Sequence, residues 1–153
     1  MEFTKNLKEA EEFDNFKTKV LKYVLYKKRT EMEVREKFKD YEISKLEDVI
    51  DFLKEYKYID DIDYIKRSIE EFKTLKNFSL KEIKYKLIQK GIDKSLLDDY
   101  IYSHNDELLD YEIKSAKNII LKKNINMEIE EIKSFLYKKG YMSDSIKIAI
   151  EEI

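Results

Sequence analysis

The sequence predicts an all-helical protein composed of three tandem repeats of three helices each. Apolar residues recur at helical spacing almost from one end of the chain to the other. The same pattern returns at an offset of 49 residues, which is the separation of Gly91 and Gly140. Only 2 glycines and no prolines occur among the 153 residues, which is too few for the tight turns of a sheet protein.

The first repeat shows the pattern of all three of its helices. Its first helix carries one apolar stripe, formed by Phe13, Phe16, Val20, Tyr23 and Val24. Thr30 followed by Glu33 has the pattern of a capping box, which would start the second helix. The third helix is expected to begin at a Ser44 cap with Glu47 as its partner.

The second repeat follows the same order. Asp60 or Asp61 is expected to cap its first helix, because the helix dipole favours a carboxylate at that end. Ser79 with Glu82 predicts a second capping box. Gly91 suits the left-handed position just beyond a helix C-terminus.

The third repeat begins at His104, which is expected to be a cap or a solvated loop residue. The 49-residue offset relates Val34, Ile83 and Ile132, then Phe38, Leu87 and Leu136, and then Ile43, Ile92 and Tyr141. The repeats are expected at about residues 14–57, 58–103 and 104–153. Because one three-helix unit buries little apolar surface alone, neighbouring units must share an apolar seam. We therefore expect one elongated, curved domain over residues 1–153.

The composition excludes several classes of site. The chain has no cysteine and 1 histidine, which leaves no disulfide, no thiolate zinc site and no multi-histidine metal site. The densest acidic cluster is Asp60, Asp61 and Asp63. It does not form a calcium loop, because Lys66 stands where the glycine belongs and Phe72 where the bidentate glutamate belongs. The sequence therefore predicts no catalytic residues, no metal site and no cofactor.

Charge and hydropathy bear on location and partners. The chain carries 31 basic and 33 acidic residues, for a net charge of −2. This balance limits long-range attraction to nucleic acid. No apolar run approaches the roughly 18 residues of a membrane span, and no signal-like segment opens the chain. A cytoplasmic monomer that does not contact a membrane is expected.

Three segments of the sequence carry a family resemblance. Arg29-Thr30, Glu33-Val34 and Lys37-Phe38 look like an R-S-x-x-E-L-x-x-K-L segment. Tyr58-Ile59-Asp60-Asp61 and Asp63-Tyr64 are similar to a G-Y-L/I-D-D-x-x-F/Y-A signature. Lys81-Glu82-Ile83, Leu87 and Lys90-Gly91-Ile92-Asp93 resemble I-x-x-E-L-x-x-K-G-I-D/S. In this order and at these separations, over residues 18 to 152, the chain resembles the RecX regulators of the bacterial recombinase RecA.

The resemblance implies a fold of three tandem three-helix repeats and a non-enzymatic function. A RecX-like protein would lie along the groove of the RecA–DNA filament, bridge adjacent protomers and meet DNA mainly through the filament. It would inhibit ATP hydrolysis and strand exchange and promote filament disassembly, which tunes recombinational repair and the SOS response. Several features depart from the family, and two of them bear on the argument. Glu42 stands where the first repeat often has a glycine, and the chain is slightly acidic whereas members are commonly basic.

A row of cations is the candidate binding surface. Arg35, Lys84 and Lys133 are related by the 49-residue offset, and each follows a core position, so they are expected to face similarly on successive second helices. Such a row suits a phosphate backbone or an acidic groove in a partner. The alternative is an ordinary solvated helix face, since 42% of the residues are charged. The predicted binding set is Arg29, Arg35, Lys66, Arg67, Lys84, Lys86, Lys90 and Lys133.

Two other functions stay open on the sequence alone. One is a helical-repeat adaptor, unrelated to recombination, that binds a partner helix or an acidic peptide. The other is a direct binder of single-stranded nucleic acid, since Lys84-Tyr85-Lys86 and Tyr137-Lys138-Lys139 interleave rings and cations as base stacking requires. An enzyme is the least supported class, because neither a nucleophile–base pair nor a metal set is evident.

Overall fold

The structure is a computed structural model that describes residues 2–153. Within that range the chain forms nine α-helices and no β-strand, which confirms the predicted all-helical class. The helices are α1 (Glu2–Tyr26), α2 (Glu31–Lys37), α3 (Ile43–Glu55), α4 (Asp61–Leu75), α5 (Leu80–Gln89), α6 (Lys94–Ser103), α7 (Asn105–Lys123), α8 (Ile129–Lys139) and α9 (Ser143–Glu151). Their contacts group the chain into an N-terminal body, which ends at Tyr64, and a C-terminal body, Ile65–Ile153. The boundaries of the three sequence repeats stay a prediction.

The N-terminal body has a core rich in aromatic rings. The ring of Phe38 meets those of Phe16 and Tyr23 edge-on, with centroids 5.9 and 5.5 Å apart. Tyr41 stacks on Phe16 with centroids 4.4 Å apart. Edge-on and offset rings are the arrangements that aromatic quadrupoles favour. Aliphatic residues complete this core, namely Val20, Val24, Val34, Leu46, Val49, Ile50, Leu53 and Ile59.

The C-terminal body is organised around α7, which packs most extensively on α9. Ala116 of α7 and Ala149 of α9 are both fully buried in one cluster. Their short side chains allow helix axes to approach closely. Ser115 and Tyr141 share a buried hydrogen bond of 2.6 Å between their hydroxyl groups. The Ser115 hydroxyl also donates to the carbonyl of Phe78 at 3.2 Å, so the polar atoms near this core are paired.

Two predicted capping boxes are confirmed, whereas the third cap was wrong. At Thr30 and at Ser79 the side-chain oxygen accepts the backbone N–H three residues later, at 3.1 Å in each case. Helix α3 begins at Ile43 after the N-cap Glu42, which makes no side-chain cap hydrogen bond. The hydroxyl of Ser44 instead donates to the Glu42 carboxylate at 2.9 Å. Because α3 starts before Ser44, that hydroxyl has no helix terminus to cap.

A glycine follows the second helix in the second and third repeats, as predicted. The first repeat has no glycine at this position, and its third helix, α3, begins earlier. Gly91 and Gly140 adopt φ of +94° and +101°, values that glycine tolerates best. Glu42 stands at the matching position with φ of −58°. Without a glycine there, α2 ends after 7 residues, whereas α5 has 10.

The third helix of the first repeat consequently begins two residues early. The N-caps of the second helices are 49 residues apart at Thr30, Ser79 and Glu128. Those of the third helices, Glu42, Asp93 and Met142, are 51 and 49 residues apart. The predicted match of Ile43 with the buried Ile92 and Tyr141 was therefore wrong, because Ile43 is 74% exposed.

Two further predicted caps lie at the starts of first helices. The Asp60 carboxylate accepts the backbone N–H of Asp63 at 3.1 Å, which confirms it as the cap of α4. His104 joins α6 to α7 and stacks on the ring of Tyr100 with centroids 4.0 Å apart, as a junction residue.

Among residues 2–153 no helix combines the length and the apolar content that crossing a membrane requires.

Candidate functional site

The predicted basic row occupies one position in three different helices. Arg35, Lys84 and Lys133 lie on α2, α5 and α8, each five residues after the N-cap of its helix. Arg35 belongs to the N-terminal body, and the other two belong to the C-terminal body. The three cations have the same helical position but different partners, and these partners decide what each can bind.

Arg35 is held by carboxylates of its own body. Its guanidinium makes a two-pronged contact with Glu47 of α3, in which Nη2 lies 3.1 Å from Oε2. Its Nε donates to Glu31 at 3.1 Å. The hydrogen bond with Glu47 raises the pKa of Arg35 above its ordinary value. Burial would raise the pKa of Glu31, but hydrogen bonds from Lys54 and Arg35 bring it below its ordinary value. Arg35 therefore ties α2 to α3.

Lys84 makes the equivalent tie in the second repeat. Its Nζ lies 2.5 Å from Oδ1 of Asp98, and this ion pair joins α5 to α6. Glu47 and Asp98 correspond to each other, since each lies five residues after the N-cap of its third helix. In two repeats, therefore, a cation of the second helix is paired with a carboxylate at one defined position of the third.

The third repeat lacks this tie. Lys133 pairs with Glu130 on its own helix, at 3.2 Å. The position that matches Asp98, five residues after the N-cap of α9, is occupied by Lys147. Two cations therefore occupy the positions at which the other repeats place a cation and a carboxylate. These two positions therefore form no ion pair between α8 and α9.

A groove opens at this untied seam. We call it the α8–α9 groove, and it has a volume of about 600 Å³. Its lining includes two lysines and two glutamates beside hydroxyl and apolar groups, namely Lys133, Lys147, Glu130, Glu151, Ser134, Tyr137, Ile146 and Ile150. Tyr137 is 68% exposed. The groove therefore offers two ammonium groups, two carboxylates, hydroxyl groups and apolar surface to a ligand.

Two other predicted cations contact aromatic rings. The guanidinium of Arg29 lies 3.9 Å from the centre of the Tyr23 ring, and its Nε donates to the Tyr23 carbonyl at 3.3 Å. The Nζ of Lys86 lies 4.9 Å from the centre of the Phe78 ring, where Lys139 also approaches to 5.3 Å. Such cation–π contacts stabilise local structure by about 0.5–1 kcal/mol at exposed sites.

The remaining predicted cations lie on exposed helix surfaces. Lys66 and Arg67 are exposed on α4, and Lys90 is exposed at the C-cap of α5, where the helix dipole favours a cation. Helix α5 thus brings Lys84, Lys86 and Lys90 onto one element, whereas Lys133 lies with Lys147 at the α8–α9 groove. A role of these residues in binding stays a prediction.

Sequence reasoning missed Lys147. Lys147 lies 49 residues after Asp98, so the 49-residue offset relates the two positions and shows the change of sign. The offset does not relate Asp98 to Glu47, because the third helices of the first and second repeats have N-caps 51 residues apart. Among the residues that the structure describes, no three His, Cys, Asp or Glu side chains are placed to hold a metal ion.

Comparison with known proteins points to one group of relatives. The chain is 34% identical to Regulatory protein RecX of Clostridium tetani, over 97% of this chain and 73% of that protein. It is 30% identical to Regulatory protein RecX of Clostridium beijerinckii, with the same coverage of 97% and 73%. The crystal structure of RecX from Lactobacillus salivarius matches with a TM-score of 0.78 at 23% identity, over 94% of this chain and 97% of that one. No family model matches the chain.

Proposed function

Since the chain belongs to the RecX family of regulatory proteins, we propose that it modulates RecA by binding the RecA–DNA filament. Bound along the filament groove, it inhibits ATP hydrolysis and strand exchange and favours disassembly. It thereby tunes recombinational repair and the SOS response. The observation that carries this proposal is the 34% identity to a RecX protein over 97% of the chain. No catalytic step of its own is part of this proposal.

The repeated architecture supports binding to a repeating partner. Equivalent cations recur five residues after the N-cap of α2, α5 and α8. A filament presents the same protomer surface at regular intervals, so repeated elements of one chain can contact several protomers. Each further contact is then intramolecular, which strengthens binding without requiring a tight individual contact.

The charge balance supports contact with DNA mainly through RecA. The chain has a net charge of −2, so a phosphate backbone does not attract it at long range. Arg35 and Lys84 are also engaged by Glu47 and Asp98, which lowers the positive potential they present. We therefore expect weak binding to single-stranded DNA alone and much tighter binding to RecA-coated DNA, at the cytoplasmic site of recombination.

Co-sedimentation tests this proposal. The full chain is mixed with RecA filaments on single-stranded DNA, with RecA alone and with labelled DNA alone, at near-physiological salt. Retention only with the filament, together with a fall in RecA ATP hydrolysis, is the expected result. Equal affinity for bare and RecA-coated DNA would favour a direct nucleic-acid binder instead. No retention in any mixture would favour an adaptor with another partner.

A further inference from the structure

We propose that the α8–α9 groove is the contact site for a protein segment that carries an acidic side chain next to an apolar one. The identity of this partner as a RecA protomer rests on the proposed function. The chemistry of the groove does not, because it follows from the residues that line α8 and α9.

The first two repeats show how a carboxylate binds the cation at this position. In the first, Arg35 holds the carboxylate of Glu47, and in the second, Lys84 holds that of Asp98 at 2.5 Å. These carboxylates occupy one position of the third helix, which in α9 is Lys147. A carboxylate supplied by a partner can lie between Lys133 and Lys147, where the other repeats place one of their own. It would give Lys147 the opposite charge that the matching position supplies in the other repeats, and it could be shared with Lys133.

The apolar surface of the groove indicates a protein ligand in preference to a nucleic acid. Ile150 is partly exposed in the groove beside the exposed ring of Tyr137, while Ile146 lines it from the buried core. An apolar side chain of a partner can pack on these groups while its acidic neighbour meets the lysines, as in helix-in-groove recognition. A phosphate backbone carries a charge at every nucleotide, so it would meet Glu130 and Glu151 as well as the lysines, whereas a single carboxylate need meet only the lysines.

One substitution would give the third repeat the pair of a cation and a carboxylate that the first two repeats have. Lys147→Asp recreates in the third repeat the arrangement of Lys84 and Asp98, so that Lys133, which pairs with Glu130 on its own helix, gains a partner on α9. We expect this variant to fold, and to bind RecA filaments about tenfold more weakly, the loss expected for one charged contact. Lys5→Asp on α1 is the matched control for net charge, and its affinity should stay within about twofold of the parent.

A second variant removes the apolar part of the site without changing any charge. Tyr137→Ser deletes an exposed ring, so the fold should be retained, and circular dichroism and urea unfolding check both variants. Filament binding should fall for Tyr137→Ser as well, since both halves of the site are needed. If Lys147→Asp and Tyr137→Ser bind filaments like the parent, the groove is not the contact site, while the proposed function stands.

A peptide probe tests the groove proposal independently of the proposed function. A fluorescein-labelled helical peptide with a Leu-Leu-Glu-Glu repeat is titrated with the full chain, and labelled oligo(dT) is titrated in parallel. We expect the peptide to bind the parent and Lys5→Asp but not Lys147→Asp. If the parent fails to sediment with filaments yet shows this pattern, the function proposal falls and the groove proposal is supported. Absence of peptide binding, or tighter binding of oligo(dT) that Lys147→Asp abolishes, would overturn the groove proposal.

Discussion

Glu112 and Met142 are joined by a hydrogen bond in which the Glu112 carboxylate accepts the backbone N–H of Met142 at 2.7 Å. The second carboxylate oxygen accepts the N–H of Leu80 at 3.0 Å. Met142 is the N-cap of α9, and Leu80 is the first residue of α5. One fully buried carboxylate of α7 therefore satisfies donors at the start of two other helices, where helix dipoles favour negative charge.

Removing this carboxylate should strongly destabilise the protein. Glu112→Ala leaves two N–H groups without their acceptor and should lower the free energy of unfolding by about 3 kcal/mol. Glu112→Gln should cost less, because the amide oxygen can still accept one hydrogen bond. Urea unfolding followed by circular dichroism measures both. Glu71→Ala, at an exposed position of α4, is the control and should change stability by at most about 0.5 kcal/mol; equal losses at the two sites would contradict the role of Glu112.

Alanine should be tolerated less well at Gly140 than at Gly91. Both glycines have positive φ, which costs an alanine about 1–2 kcal/mol. At Gly140 an added Cβ would also lie 3.0 Å from Cβ of Lys81 and 3.2 Å from Oγ of Ser79. The expected result is therefore a lower thermal midpoint for Gly140→Ala than for Gly91→Ala. The reverse order in calorimetry would show that crowding at Gly140 is unimportant.

Charge reversal along the basic row should affect stability unequally. Arg35→Glu places like charges beside Glu47 and Glu31, and Lys84→Glu does so beside Asp98, so both should lower the thermal midpoint. Lys133→Glu breaks only an exposed pair within one helix and should have a smaller effect.

The controls for this series must be free of ion pairs that join helices. Lys5→Glu and Lys8→Glu change exposed positions of α1. Lys54 is unsuitable because it pairs with Glu31, which also holds Arg35. If all three row variants melt like these controls, the ties to Glu47 and Asp98 do not contribute to stability.

Stability should fall at alkaline pH, partly through Tyr141. Burial raises the pKa of Tyr141 above its ordinary value of 10.0, and the hydrogen bond with Ser115 only partly offsets this. Because the folded pKa is higher than the unfolded pKa, the unfolded state loses its proton first. The free energy of unfolding therefore decreases as the pH rises above about 10. Urea unfolding between pH 9 and pH 11, values set around the ordinary tyrosine pKa of about 10, should show a shallower decrease for Tyr141→Phe than for the parent. Parallel decreases would assign the effect to other groups.

The features that the sequence predicted correctly depend on neighbours a few residues apart. The capping boxes at Thr30 and Ser79 are contacts between positions three residues apart, so the sequence pattern contains both partners. The Gly91 conformation follows from the freedom of one residue. Glu112, by contrast, accepts from donors 32 and 30 residues away. A glutamate within a helical pattern is indistinguishable by spacing from a solvated one, so its burial could not be predicted.

The candidate site was only partly predictable for a related reason. The cation position was found in all three second helices, because their N-caps keep the 49-residue offset. Whether each cation is tied to another helix depends on the third helix, which a changed turn moves by two residues in the first repeat. The ties of Arg35 to Glu47 and of Lys84 to Asp98 required the packed structure. The exchange of Asp98 for Lys147 did not, since the two positions lie 49 residues apart.

The early start of α3 has a consequence for anyone who exchanges or deletes repeats of this chain. Two residues correspond to about 200° of rotation around a helix axis. A splice at a fixed interval of 49 residues would place Asp48, which is exposed, where α6 has the buried Leu97. A splice that counts from the N-caps aligns Leu46 with Leu97 and Ile146, all three of which are buried. Chimeric repeats should therefore be joined from cap to cap, so that the inward and outward faces of the third helix are preserved.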